Sequence, residues 1–300
     1  WYTKAAEQGH AEAQSNLGGM YRTGEGVPEN DETAVMWYTK AAEQGLASAQ
    51  YNLGVMYDCG EKDQQDSKAA VMWYTKAAEQ GHAKAQNNLG FMYAKGEGVP
   101  ENDETAVMWY TKAAEQGLAS AQNNLGFMYA KGEGVPENDE TAVMWYTKAA
   151  EQGLASAQYN LGVMCERGKG VPKNDKTAVM WYTKAAEQGN AEAQYNLGFM
   201  YCNGGGVQPN SKAAVMWYTK AAEQGYVKSQ YNLGVMYAHG EGVPENDVKA
   251  YAWWLTAKAN GHERGKANLE DLKEIMTKEQ IAKAQELAAK FYESGYKDCN

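Results

Sequence analysis

The sequence predicts an all-α solenoid of antiparallel helix hairpins, and three observations carry that expectation. Trp1, Trp37, Trp73, Trp109, Trp145, Trp181, Trp217 and Trp253 recur every 36 residues without an insertion, a period that belongs to a repeat array rather than to ordinary domains. Each period holds two stretches with helical apolar spacing, separated by glycine-marked breaks. The copies are nearly identical, so each can make the same contacts with its neighbours. That is how 300 residues bury apolar surface without one central core.

One unit, taken from Asn30, reads NDETAVMWYTKAAEQGLASAQYNLGVMYDCGEKDQQ. Its first helix is expected to start at Asp31 as N-cap and to end before Gly45, a residue suited to the left-handed position past a helix. Ala34, Tyr38 and Ala41 form its apolar stripe, Trp37 widens it, and Lys40 and Glu43 fall elsewhere. The second helix is expected over Ala47–Cys59, stopping at Gly60. Ala49, Leu53, Met56 and Tyr57 form its buried stripe, and Gly54 admits a neighbouring helix. Helices of about 12 residues are about 18 Å long and do not persist alone in water, so stacking must hold them.

Between units runs a loop such as Gly96-Glu97-Gly98-Val99-Pro100-Glu101-Asn102. Its glycines permit positive φ, Val99 can plug the space between hairpins, and Pro100 with Asn102-Asp103 leads into the next helix. Two loops depart from this form: Gly60–Gln65 loses the Gly-Val-Pro, and in Gly204–Pro209 the proline moves by one.

The ends differ from the middle. Trp1 lacks the lead-in that precedes later copies, so the chain is expected to enter mid-helix, as a piece of a longer protein. At the far end Tyr251-Ala252-Trp253-Trp254-Leu255 replaces Val-Met-Trp-Tyr-Thr, and Asn268-Leu269-Glu270-Asp271-Leu272 replaces the Asn-Leu-Gly pattern. A last helix is expected from a Thr277 cap through Ile281, Ala284, Leu287, Ala288 and Phe291. The expected organisation is therefore an array over 1–276 and a capping helix and tail over 277–300.

Composition narrows the function. A net charge of −10 argues against a nucleic-acid partner, which needs clustered Lys and Arg. No apolar run approaches the roughly 18 residues of a membrane span, so no membrane insertion is expected. Cys59, Cys165, Cys202 and Cys299 share no fixed pair of slots, and stacked helices about 8–10 Å apart exceed the reach of a disulfide; all four are read as free thiols. His10, His82, His239 and His262 are scattered and read as solvated. No CxxC or His-x-x-x-His spacing points to a metal.

The acidic loops around Glu97, Glu101, Asp103 and Glu104 lack alternating calcium ligands, and the glycine loops lack the Gly-Lys-Ser/Thr of a phosphate cradle. The Lys4, Lys40, Lys76 series reads as a solvated face and the Met20, Met56, Met92 series as core. Nearly every polar residue recurs from copy to copy, and no Ser, Cys or His gains a distinctive set of neighbours that would make a catalytic constellation. The expectation is no enzyme, no metal and no cofactor.

Variation among the copies falls mainly on one side of the second helix. Ser15, Tyr51, Asn87, Asn123, Tyr159, Tyr195 and Tyr231 share one slot, and Gly19, Val55, Phe91, Phe127, Val163, Phe199 and Val235 share another four residues on.

The framework letters Ala85, Leu89, Gly90, Tyr93, Gly96, Gly98, Val99 and Asp103, then Trp109, Tyr110, Ala113, Ala114 and Gly117, closely resemble the Sel1-like repeat, a relative of the tetratricopeptide repeat. The resemblance covers the chain up to its final unit. It departs at Lys62–Gln65, at Cys165 in a Tyr slot and in the Trp253 unit. It implies a right-handed solenoid whose Leu-Gly-x-x-Tyr helices line the concave side, and an adaptor that holds other proteins together. Bacterial members are often exported or envelope-associated. A cysteine-rich subgroup carries a disulfide in each repeat, a pattern this chain lacks.

By that analogy the groove-facing slots are those of Ser48, Tyr51, Val55, Asp58 and Cys59, whose spacing describes one helical face. The expected groove line is Tyr51, Val55, Asn87, Phe91, Lys95, Asn123, Phe127, Lys131, Tyr159, Val163, Tyr195, Phe199, Tyr231 and Val235. Free drift of solvent-facing positions would also produce variation. Tyr, Phe and Asn at these slots, in place of Lys and Glu, suit a binding surface better. The expected function is a protein–protein scaffold that holds a partner peptide or helix. The alternative is an envelope protein that binds glycan or peptidoglycan fragments.

Overall fold

A computed structural model of the chain describes residues 2–60, 66–263 and 265–296, the side chains at 265 and 266 excepted. Among these residues there are seventeen α-helices and no strand. They are α1 (Tyr2–Glu7), α2 (Ala11–Thr23), α3 (Asp31–Glu43), α4 (Ala47–Cys59), α5 (Ser67–Glu79), α6 (Ala83–Lys95), α7 (Asp103–Glu115), α8 (Ala119–Lys131) and α9 (Asp139–Glu151). After them come α10 (Ala155–Arg167), α11 (Asp175–Glu187), α12 (Ala191–Asn203), α13 (Ser211–Ala222), α14 (Val227–His239), α15 (Asp247–Ala259), α16 (Gly265–Ile275) and α17 (Lys278–Glu293). The fold class is an all-α solenoid. The chain divides into two compact units, Trp1–Ala149 and Ala150–Asn300.

In the Trp1–Ala149 unit the odd-numbered helices are the first helices, Trp-bearing from α3 onward, and the even-numbered ones the second helices. Capping explains their limits. The N-cap of α3 is Asn30, one residue before the expected Asp31: its extended backbone lets Oδ1 accept the Thr33 N–H at 2.7 Å. Asp31 is instead the first helical residue, where its charge meets the positive end of the helix dipole. Asn102 repeats this for α7, and Asp66 caps α5 through Lys68 and Ala69. Second helices close on a left-handed glycine, as at Gly96, whose N–H returns to the Met92 carbonyl. The α4 helix ends at Gly60 in an extended conformation, and the irregular loop residues 61–65 lie outside the described residues.

The closest pairing joins the second helix of one copy to the first helix of the next across the long loop, as in α4–α5 and α6–α7. The natural hairpin thus runs over 47–82, shifted from the frame that starts at Asn30. Gly54 makes this approach possible, because a Cβ there would lie 2.6 Å from the Tyr74 ring. Gly90 with Tyr110 and Gly126 with Tyr146 repeat the contact. Ala49, Leu53 and Met56 are buried as expected, whereas Tyr57 is half-buried at the margin. Val99 packs at the edge of the core around Tyr74 and Leu89.

A glutamine ladder, which sequence reasoning missed, links successive copies. Gln50 is buried; its Nε2 donates to the Ala42 carbonyl at 3.1 Å, and its Oε1 accepts from Gln80 Nε2 at 2.7 Å. Gln14 with Gln44 and Gln86 with Gln116 do the same. The lysine ladder is more than a solvated face. Lys40, Lys76 and Lys112 place Nζ 4.3–4.4 Å from the centres of the Trp37, Trp73 and Trp109 rings, a favourable cation–π geometry.

The Ala150–Asn300 unit uses the same parts. Gly162 meets Tyr182, Gly198 meets Tyr218, and Gly234 abuts Trp254 in the divergent copy. Gln158 accepts from Gln188, Gln194 from Gln224, and Gln230 from Asn260. Trp253 is buried against Phe291 of α17, with ring centroids 4.5 Å apart. The α17 helix starts on a capping box in which Thr277 and Gln280 bond each other's backbone N–H.

Methionines fall into two series. Met56, Met92, Met128, Met164, Met200 and Met236 are buried, as expected, whereas Met20, in the first and incomplete copy, is only half-buried. Met36, Met72, Met108, Met144, Met180 and Met216, just before the tryptophans, are 43–45% exposed.

Candidate partner-binding face

On each second helix the buried stripe fixes which side remains available. In α4, Ala49, Leu53 and Met56 point into the core, so Tyr51 and Val55 fall on a separate side and are half-buried. The other expected groove residues follow suit. Asn87, Asn123, Tyr159, Val163, Tyr195, Tyr231 and Val235 are half-buried, and Lys95 and Lys131 are exposed. Phe91, Phe127 and Phe199 are 44%, 42% and 46% exposed. An open phenylalanine at one slot on α6, α8 and α12 leaves apolar surface in water that folding has not used.

The half-buried tyrosines are held by contacts that sequence reasoning did not foresee. Tyr51 stacks on His82 with centroids 4.7 Å apart, and Tyr231 stacks on His262 at 4.4 Å. Tyr195 leans on Tyr226 at 5.3 Å. In each case the second residue sits at the start of the next second helix or of its equivalent. This corrects the reading of His82 and His262 as solvated; His10 and His239 are exposed. His82 also caps α6, its Nδ1 accepting the Ala85 N–H at 3.2 Å. Burial, with a smaller contribution from Lys84, holds its pKa below the usual histidine value, and the cap requires that nitrogen unprotonated. The signal was a pairing within the sequence: His82 and His262 follow tyrosine copies, whereas Leu118 and Leu154 follow the Asn copies.

The Asp58 slot serves the fold. Tyr74 donates its hydroxyl to Asp58 at 3.1 Å, and Tyr182 donates to Glu166 at 2.6 Å. Burial pushes the Tyr74 and Tyr182 hydroxyls up in pKa, so both stay protonated as donors. Cys59 is exposed, Cys165 is buried with its thiol pushed up by desolvation, and Cys202 is half-buried; all three are free thiols. Cys299 lies outside the described residues.

Neighbouring copies are also tied at the face itself, where Asn124 Nδ2 donates to Asn87 Oδ1 at 3.1 Å. Lys131 Nζ stands 5.8 Å from the Phe127 ring. Where the slots carry Ser15 and Gly19, a hollow of about 400 Å³ opens against Tyr38, Ser48 and Asn52. In the second unit Tyr195, Lys228, Tyr231 and His262 line one of about 460 Å³. Among the described residues no group of His, Cys, Asp and Glu could hold a metal, and no helix is long and apolar enough to cross a membrane. The face presents phenylalanine and tyrosine rings, asparagine amides and exposed lysines.

The repeat itself has relatives among known proteins. The family model for the Sel1 repeat matches residues 1–10, 11–46, 47–82, 83–118, 119–154, 155–190, 191–226 and 227–262, the phase of the α4–α5 hairpin. A crystal structure of a Sel1 repeat protein from Oxalobacter formigenes is 38% identical, with a TM-score of 0.76, over 90% of this chain and 79% of that one. A protective antigen present in uropathogenic Escherichia coli strains, which displays an SLR fold, is 32% identical over 100% of this chain and 87% of that one, with a TM-score of 0.48. An immunity protein from Pseudomonas aeruginosa is 24% identical over 73% of this chain and 81% of that one, with a TM-score of 0.44. No curated protein matches the chain.

Proposed function

The chain belongs to the Sel1 repeat family, and from that premise we propose that it is a non-catalytic scaffold whose second helices hold a segment of a partner protein. Sel1 repeat proteins generally mediate protein–protein interaction, and the family is typically a non-catalytic scaffold fold. The finer assignment, to the groove line of Tyr51, Phe91, Phe127, Phe199 and their neighbours, rests chiefly on one observation. Phe91, Phe127 and Phe199 stay 42–46% exposed on helices whose other large apolar residues are packed. An extended peptide or a helix laid across Phe91 and Phe127 in the first unit, or against Phe199 in the second, would bury the rings, and aromatic anchors of this kind dominate binding energy.

The glycan alternative draws less support. Sugar recognition needs free ring faces and free amides, yet His82 covers a face of Tyr51, His262 covers one of Tyr231, and Asn87 is engaged by Asn124. The test compares the wild-type chain with the Phe91→Ala/Phe127→Ala/Phe199→Ala variant as bait for partners from the source cells. Loss of specific partners with an unchanged circular dichroism spectrum supports the assignment, and unchanged capture counts against it. A thermal shift with muropeptides or chitooligosaccharides in the absence of any protein partner would favour the glycan reading instead.

A further inference from the structure

Within the Trp1–Ala149 unit α6 and α8 differ in charge from the other helices, each of which contains an Asp or Glu. The chain as a whole carries −10, and the first helices α3, α7 and α9 each open with Asp-Glu. By contrast α6 holds Lys84 and Lys95, α8 holds Lys131, and neither helix contains an Asp or Glu. All three lysines are exposed. Among the described residues neither Lys95 nor Lys131 is in an ion pair. The acidic residues next in sequence, Glu97 and Glu133, lie beyond the glycines Gly96 and Gly132 that end the helices.

Each terminal lysine follows an exposed phenylalanine by one helical turn, Phe91 with Lys95 and Phe127 with Lys131. The stretch Gln-Asn-Asn-Leu-Gly-Phe-Met-Tyr-Ala-Lys is identical in the two helices, and the Asn124–Asn87 hydrogen bond ties the copies side by side.

We propose that this duplicated surface takes an acidic segment of a partner protein in which a carboxylate and an apolar side chain recur together. The proposal rests on the scaffold reading above and names the partner's chemistry. Charge complementarity selects the occupant: a lysine stripe on an acidic protein attracts carboxylates locally, and the neighbouring rings require apolar side chains beside them. Repetition sets the spacing. Helices packed about 8–10 Å apart match one turn of a polyproline-II chain, three residues at about 3.1 Å each, which returns every third side chain to the same edge. An acid–apolar pair recurring every third residue would place one pair on each copy.

The test uses fluorescein-labelled synthetic peptides and the full chain, read by fluorescence anisotropy at low and high salt. A peptide of Glu-Leu-Ser triplets should bind. The Lys-Leu-Ser counterpart should not, and binding should weaken as salt screens the charges. Lys95→Glu/Lys131→Glu should weaken binding by about tenfold or more with an unchanged circular dichroism spectrum. Phe91→Ala/Phe127→Ala should also weaken it. Equal binding of both peptides, indifference to the lysine reversals, or preference for a single-stranded oligonucleotide would overturn the proposal. Binding of the basic or a neutral peptide that still depends on Phe91 and Phe127 would overturn the acidic class alone and leave the scaffold reading standing.

Discussion

Gly54→Ala tests the packing that fixes the face in place. The added Cβ would lie 2.6 and 2.7 Å from two Tyr74 ring carbons, where ordinary contact begins near 3.4 Å; the ring would have to retreat by about 0.8 Å. It has no room to do so. Tyr74 is fully buried, its hydroxyl is bonded to Asp58, and Tyr51 stands 6.0 Å away. Forcing such a group into a filled core costs about 1–3 kcal/mol, while alanine gains about 1 kcal/mol over glycine in helix propensity. The net expectation is a loss of about 1 kcal/mol.

Gly19→Ala is the counterpart. Its Cβ would meet only the Tyr38 hydroxyl, at 3.5 Å, so the propensity gain should emerge as stabilisation. Urea unfolding followed by both tryptophan fluorescence and circular dichroism reads the two, because arrays can depart from two-state behaviour. Stabilisation of the same sign in both variants would refute the close-packing argument.

Other outcomes follow from single contacts. Gln86→Leu removes a buried donor to the Ala78 carbonyl and the acceptor of Gln116, and denaturation should show a loss of about 1 kcal/mol. His82 titrates below its usual value when folded, so the unfolded chain takes the proton more readily. Its contribution is therefore complete above about pH 6.5 and is lost as the pH falls through the lowered folded value. Wild type should lose more stability than His82→Asn between about pH 7 and pH 5, measured by thermal melts in matched buffers. In a Cys299→Ser background, Ellman's reagent should label exposed Cys59 in the native chain and reach Cys165 only after urea is added.

The period, the two helices per copy and the buried Ala49–Leu53–Met56 stripe were legible in the sequence because each depends on spacing alone. The role of Gly54 was legible too, since a glycine kept inside a helix implies a close neighbour. Contacts between copies were harder to read. Gln50 and Gln80 recur in the copies before the divergent one alongside residues that merely repeat, and only coordinates show that they bond each other across 30 positions. Asp31 looked like the cap because Asp and Asn are adjacent and equally suited, and the register of one residue is decided by backbone geometry. At the candidate face, the sequence located Phe91, Phe127 and Phe199 by their variation. It could not show that the Asp58 slot is occupied by Tyr74, because that tyrosine arrives from the following helix.

The claim that the second helices carry the partner is tested most directly by site-specific photo-crosslinking in the source cells. Phe127 and Met108, each 42–43% exposed and on helices of opposite type, are replaced in turn by p-benzoylphenylalanine. A scaffold that binds along the second helices should give a discrete protein adduct from position 127 and none from position 108. An adduct from position 108 alone would put the partner on the first helices and contradict the assignment.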